Sequence, residues 1–127
     1  MGSWYRIATN NKDACGGVFV LTVGSGDSYS STTVFSATRQ YSISTATDSE
    51  VKILSHSSFN TCVSKIRMAT MLGSYEQYID FYVEKGTNGH TGDVEVRFFG
   101  KGWKIYNNVV SANIASGYKT KEFSITE

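Results

Sequence analysis

Cysteine and histidine are scarce in this chain, with two of each in 127 residues, and proline is absent. Cys15 and Cys62 have no CxxC spacing, which leaves zinc and dithiol redox motifs unsupported. Their number permits a disulfide, but both stand beside apolar or small residues, and two buried thiols is the preferred reading. His56 and His90 are 34 positions apart and define no metal motif. Nothing in the sequence orients His56 against Cys62 as a nucleophile and base, and a strand-end histidine is the simpler assignment. No calcium loop of the D-x-D-x-D-G type is present, and "GSG" at 24–26 lacks the strand–GxGxxG–helix setting of a phosphate cradle. No catalytic set, metal or cofactor is expected, so the chain reads as a non-enzyme.

Charge of one sign is missing too. Twelve basic residues face 11 acidic ones, a formal net charge of +1. No two basic residues are adjacent, so nucleic acid and anionic membrane surfaces are poor partners. The longest apolar run, "VFVL" at 18–21, is far short of the roughly 20 residues of a membrane span. No membrane insertion is expected. Hydrophobic residues make up 40% and charged residues 18%, a composition that supports one globular domain over 1–127. A strand-like run opens the chain almost at once, with no leader or linker before it. That opening predicts a domain cut from the end of something longer.

What the chain has in plenty is strand chemistry. Serine and threonine together supply about a quarter of the residues, and tyrosine occurs eight times. "WYRIAT" (4–9) alternates, with Tyr5 and Ile7 on one face and Trp4 and Arg6 on the other. "GGVFVLTV" (16–23) reads as a strand buried on both faces. "TTVFSATRQYSIS" (32–44) is one bent strand or two. In "EVKILSH" (50–56), Val51, Ile53 and Ser55 oppose Lys52, Leu54 and His56. "CVSKIRMAT" (62–70) is a further strand. In "QYIDFYVE", Ile79, Phe81 and Val83 alternate with Tyr78, Asp80, Tyr82 and Glu84. After "KGTNGHTG", "DVEVRFF" alternates again. That pattern predicts an antiparallel hairpin with one solvated face, extended by "WKIY" into a meander. "KTKEFSITE" adds the last strand. No window keeps an apolar helical period, and "TMLGSYEQYI" is interrupted by Gly73. The fold class is all-β, an antiparallel β-sandwich of jelly-roll or lectin-like type.

Candidate ligand residues fall in two places. Tyr78 and Tyr82 share the polar face of their strand with Asp80. Such a face suits a sugar, whose apolar ring face packs on an aromatic while carboxylates accept its hydroxyls; a subunit interface is an equally good reading. Asp80 with Glu84 and Asp93 with Glu95 read as the wet face of the hairpin rather than as acid–base pairs. The loops "GSGDSYSS" and "GTNGHTG" offer Asp27, Tyr29, Asn88 and His90 as hydrogen-bonding groups. Trp4 and Trp103 begin strands and read as core or sheet-edge packing rather than as ligand platforms.

"GSWYRIAT" followed by "GGVFVL" resembles the GxWYRIA opening of C-terminal tip domains in phage and prophage tail fibres. "TTVFSATRQY", "VKILSHSSF", "VSKIRM", "YEQYIDFYVE", "DVEVRFF" and "GKGWKIYN" follow in order, so the resemblance covers nearly the whole chain. It implies a β-sandwich assembled as a homotrimer at a fibre tip, made in the bacterial cytoplasm and carried on the virion or a phage-derived particle, with reduced cysteines. It also implies attachment to a bacterial surface glycan or another cell-surface receptor without chemistry on it. A structural role in trimerisation and capping of the fibre end is the alternative. Trp4, Tyr5, Arg6, Ile7, Arg67 and Trp103 match as structural positions. Thr32 and Thr33 stand where many relatives carry a histidine, so a histidine-based site on a trimer axis has no residue here.

Overall fold

The alternation of the second strand sets the first layer. The computed structural model describes residues 3–11, 15–24, 30–39, 49–59, 63–71, 76–83, 94–112 and 117–125. In β2 (Cys15–Gly24), Phe19, Leu21 and Val23 are fully buried while Val18, Val20 and Thr22 are half-buried. The expectation of burial on both faces thus holds for one face, because no second layer among the described residues covers the other. β2 pairs antiparallel with β3 (Ser30–Arg39) and with β7 (Val94–Lys101), and β3 pairs with β4 (Ser49–Phe59). This four-stranded sheet has the order β4-β3-β2-β7.

The remaining strands are β1 (Ser3–Asn11), β5 (Val63–Met71), β6 (Glu76–Val83), β8 (Lys104–Ser111) and β9 (Tyr118–Ser124). They form a five-stranded antiparallel sheet in the order β8-β1-β6-β5-β9. The described residues are all-β, and the inner faces of the two sheets share one core, the arrangement of a β-sandwich. Phe19 is its hub, with ring centroids 5.1 Å from Phe35, 4.7 Å from Phe98 and 6.1 Å from Trp103. Ile7, Ile66, Met68, Ile79 and Phe81 close the core from the other sheet. Trp103 is buried, as its reading as packing requires, and its indole N–H donates to the Ala37 carbonyl at 3.2 Å.

The expected hairpin and meander do not form. β6 lies in the five-stranded sheet and β7 in the four-stranded sheet, so the chain crosses between layers after Val83 and again after Lys101. Period-two alternation records which face of a strand is buried and says nothing about which strand is its neighbour. The consecutive strands that do pair antiparallel are β2 with β3, β3 with β4, and β5 with β6.

Two bulges reset the alternation. In β1 the register slips between Arg6, opposite Asp80, and Ala8, opposite Ile79. Ile7 is the extra residue, and both Ile7 and Ala8 are buried. In β4, Ile53 pairs with Phe35 and Ser55 with Val34, so Leu54 is extra and is 49% exposed. Beyond it the facing is the reverse of the expectation. Ser55 is exposed, and His56 turns to Thr33, whose Oγ1 lies 2.8 Å from its Nδ1.

A close approach holds the β2–β7 edge. Gly17 opposes Gly100, and a Cβ on Gly17 would lie 2.5 Å from the Phe99 carbonyl oxygen and 2.7 Å from Phe98 Cε1. Its φ of +155° also disfavours any side chain.

Candidate functional site

β6 is the centre of the five-stranded sheet, and its polar residues are covered rather than solvated. Tyr78 is 8% exposed and Asp80 is 0% exposed. Registers place Arg6 of β1 and Arg67 of β5 on either side of Asp80, so all three project from the outer face in one row. The Asp80 carboxylate accepts three hydrogen bonds from the two guanidinium groups and has a fourth guanidinium nitrogen in ion-pair contact. Arg6 Nε donates to Oδ1 at 2.8 Å and Arg6 Nη2 to Oδ2 at 3.2 Å. Arg67 Nε donates to Oδ2 at 2.9 Å, and Arg67 Nη2 lies 2.8 Å from the same oxygen. Arg67 Nη2 also donates to the Ala112 carbonyl at 2.9 Å. Oδ1 thus accepts from Arg6 and Oδ2 from both arginines, and the fully buried carboxylate clamps β1 and β5 onto β6.

Aromatic rings frame the two arginines. The Arg6 guanidinium carbon sits 3.9 Å from the Tyr78 ring centroid and 5.9 Å from that of Tyr118. The Arg67 guanidinium carbon sits 4.0 Å from the Trp4 ring, and Trp4 contacts Tyr82 at 5.1 Å between centroids. Lys65 Nζ lies 5.2 Å from the Tyr82 centroid. Trp4, Tyr82, Tyr106 and Tyr118 are each half-buried. Stacking on rings fixes the plane of each guanidinium and fits the preference of cations for aromatic faces.

The electrostatics follow from this packing. Burial alone would lower the Arg6 pKa, but hydrogen bonding and the charge of Asp80 outweigh it and hold the group more firmly protonated than usual. Burial, with the nearby Glu76 charge, pushes the Tyr78 phenol up to about 12, against the opposing pull of Arg6. Burial also raises Tyr106, although Arg6 and a hydrogen bond with Thr9 pull it down. All these groups keep one charge state across the physiological range.

Of the residues singled out from the sequence, Tyr78 and Tyr82 flank Asp80 on this face, Tyr78 beneath Arg6 and Tyr82 beneath Trp4 and Lys65. Asp27, Tyr29, Asn88 and His90 lie outside the described residues, as do Glu84, Asp93 and Cys62. The strand ends that carry their loops are neighbours. β2 ends at Gly24, opposite Ser30, and the adjacent Val23 pairs with Val94, which resumes the chain after β6. Glu95 is exposed and pairs with Arg97 at 2.9 Å. The sequence reading missed Arg6, Arg67 and Asp80 as one unit. The available signal was parity, which puts Trp4 with Arg6, Lys65 with Arg67, and Asp80 between two tyrosines. Comparison with protein-family models, with curated proteins and with solved structures finds no match for the chain.

Proposed function

We propose that this domain is a non-catalytic receptor-binding module that holds a bacterial surface saccharide, as the trimeric, lectin-like tip of a phage or phage-derived tail fibre. The observation that carries the reading is the outer face of the five-stranded sheet, where the half-buried residues Trp4, Tyr82, Tyr106 and Tyr118 surround two ring-stacked arginines. Flat rings pack on the apolar face of a pyranose, and guanidinium and phenol groups donate to its hydroxyls. The fibre resemblance supports the same face, because its matched residues Trp4, Arg6 and Arg67 converge there. In this reading the loops with Asp27, Tyr29, Asn88 and His90 add further contacts, and three copies convert weak single sites into firm attachment.

A trimerisation and capping module is the second reading. It is favoured by Phe99 and Leu54, 63% and 49% exposed, on the outer side of the four-stranded sheet. A glycan array of bacterial surface polysaccharides, run beside light scattering, tests both. Binding to a subset of glycans by a trimer is the expected result. A folded domain that binds none would leave capping as the function, a stable monomer would remove the trimer, and shortening of a bound polysaccharide would overturn the non-catalytic assignment.

A further inference from the structure

Among the described residues, two arginines on the outer face share one counterion, which leaves a surplus positive charge. Arg6 and Arg67 share the single carboxylate of Asp80, which carries one negative charge against their two positive ones. No second carboxylate among the described residues forms an ion pair with either arginine. Glu122, opposite Arg67 on β9, turns to Lys65 at 3.7 Å and makes no ion pair with Arg67. Glu76 acts on Tyr78, two residues from Asp80 along β6. Each arginine also keeps an unused donor. Nη1 of Arg6 and Nη1 of Arg67 have no hydrogen-bond partner among the described residues. Neither nitrogen is among the buried polar atoms left unsatisfied, so both reach solvent although the side chains are only 13% and 6% exposed.

Two fixed, ring-stacked forks with spare N–H groups and a surplus positive charge are matched by a planar anion. A neutral sugar would use the rings and leave the charge unanswered. We infer that the outer face of the five-stranded sheet binds an acidic saccharide, its carboxylate held by Arg6 and Arg67 and its ring packed against Trp4 and Tyr82. The inference rests on the saccharide-binding reading and narrows it to uronic or ulosonic acid sugars. Lys65, at the rim beside Tyr82 and 40% exposed, adds to the attraction.

The test compares acidic and neutral partners of one shape by NMR: tetragalacturonate against the matching tetragalactose, and sialyllactose against lactose. In at least one pair the acid should bind about tenfold or more tightly, equivalent to ~1.4 kcal/mol. Its titration should move the Arg Nε–H signals and the Trp4 indole signal together, and added salt should weaken it. Lys65→Glu, a change at the exposed rim, should weaken the acid about fivefold or more and weaken the neutral partner less. Equal binding of acid and neutral partners would overturn the inference and leave saccharide binding standing. Failure of both acids, with an array that still shows neutral glycans bound, would do the same. Inorganic phosphate displacing the acid far better than acetate does would replace a carboxylate with a phosphorylated ligand.

Discussion

Arg6 lies flat over Tyr78, its guanidinium carbon 3.9 Å from the ring centroid, and the ring beneath it is 8% exposed. The pair joins the first strand to the centre of the sheet. Tyr78 nevertheless stays neutral, because burial and the Glu76 charge outweigh the pull of Arg6 toward a phenolate. A neutral ring under a fixed cation is a stable platform, and the same contact aligns Arg6 for Asp80.

This arrangement predicts alkaline sensitivity. The Tyr78 pKa rises from the ordinary value of 10.0 to about 12 on folding. Between those two values the unfolded chain has released the proton and the native state retains it. The stabilisation is therefore fully present below pH 10.0 and is lost as pH climbs towards about 12. Denaturant midpoints measured across this range should fall more steeply for the wild type than for Tyr78→Phe, which has no proton to lose. Parallel curves would show that Tyr78 does not titrate in this window. Tyr106, raised in the same direction, leaves a smaller residual slope in the variant.

The all-β class was legible because side chains alternate wherever a strand has a buried face, as Phe19, Leu21 and Val23 do. The identity of strand neighbours was not, since a hairpin and a crossing between sheets leave the same alternation in "QYIDFYVE" and "DVEVRFF". Bulges at Ile7 and Leu54 shift facing by one residue and have no composition of their own, so plain alternation groups His56 with Lys52 and Ser55 with Ile53, the reverse of the facing beyond Leu54. Asp80 illustrates the same limit at the site. A carboxylate between two tyrosines reads as a wet face until strands on both sides each supply an arginine.

Asp80→Ala should cost far more stability than Glu122→Ala. Removing Asp80 leaves two largely buried guanidinium groups without their carboxylate, a loss of about 3–5 kcal/mol. Glu122 pairs with Lys65 at 3.7 Å with both side chains more than a third exposed, worth about 1 kcal/mol or less. Urea titration of both variants measures the gap. Equal losses would mean that the Asp80 network contributes nothing beyond a surface pair.

Phe81→Ala should be more damaging than Tyr82→Ala. Adjacent in sequence, the two point to opposite sides of the central strand. Phe81 is fully buried in the shared core, where deletion of a Phe side chain costs about 3–5 kcal/mol. Tyr82 is half-buried on the outer face and should cost less. Equal melting temperatures would place Tyr82 in a subunit interface in solution.

Two glycines separate space from backbone conformation. Both have positive φ, +155° at Gly17 and +102° at Gly117. An added Cβ at Gly17 meets the Phe99 carbonyl and the Phe98 ring, whereas at Gly117 it meets nothing within 4 Å. Gly17→Ala must force β2 and β7 apart and should sharply lower the melting temperature. Gly117→Ala pays only the conformational penalty of about 1–2 kcal/mol. A Gly17→Ala variant as stable as Gly117→Ala would refute the close approach.

The two tryptophans should give opposite results when each is replaced by alanine. Trp103 is 6% exposed, stands edge-on to Phe19 at 6.1 Å and donates its indole N–H to Ala37. Its removal opens a cavity and strands the Ala37 carbonyl, at a cost of about 3–5 kcal/mol, so loss of fold should precede any loss of binding. Trp4 is half-buried on the outer face, where it covers Arg67 at 4.0 Å and Tyr82 at 5.1 Å. Trp4→Ala should leave a cooperative melt and an intact core. It should still weaken saccharide binding, because the ring supplies flat apolar surface for a sugar and fixes the plane of Arg67. Calorimetric melts beside glycan titrations of both variants read the two effects separately. A folded Trp4→Ala protein with unchanged affinity for the array's best glycan would move the binding site off this face and toward the loops that carry Asp27, Tyr29, Asn88 and His90.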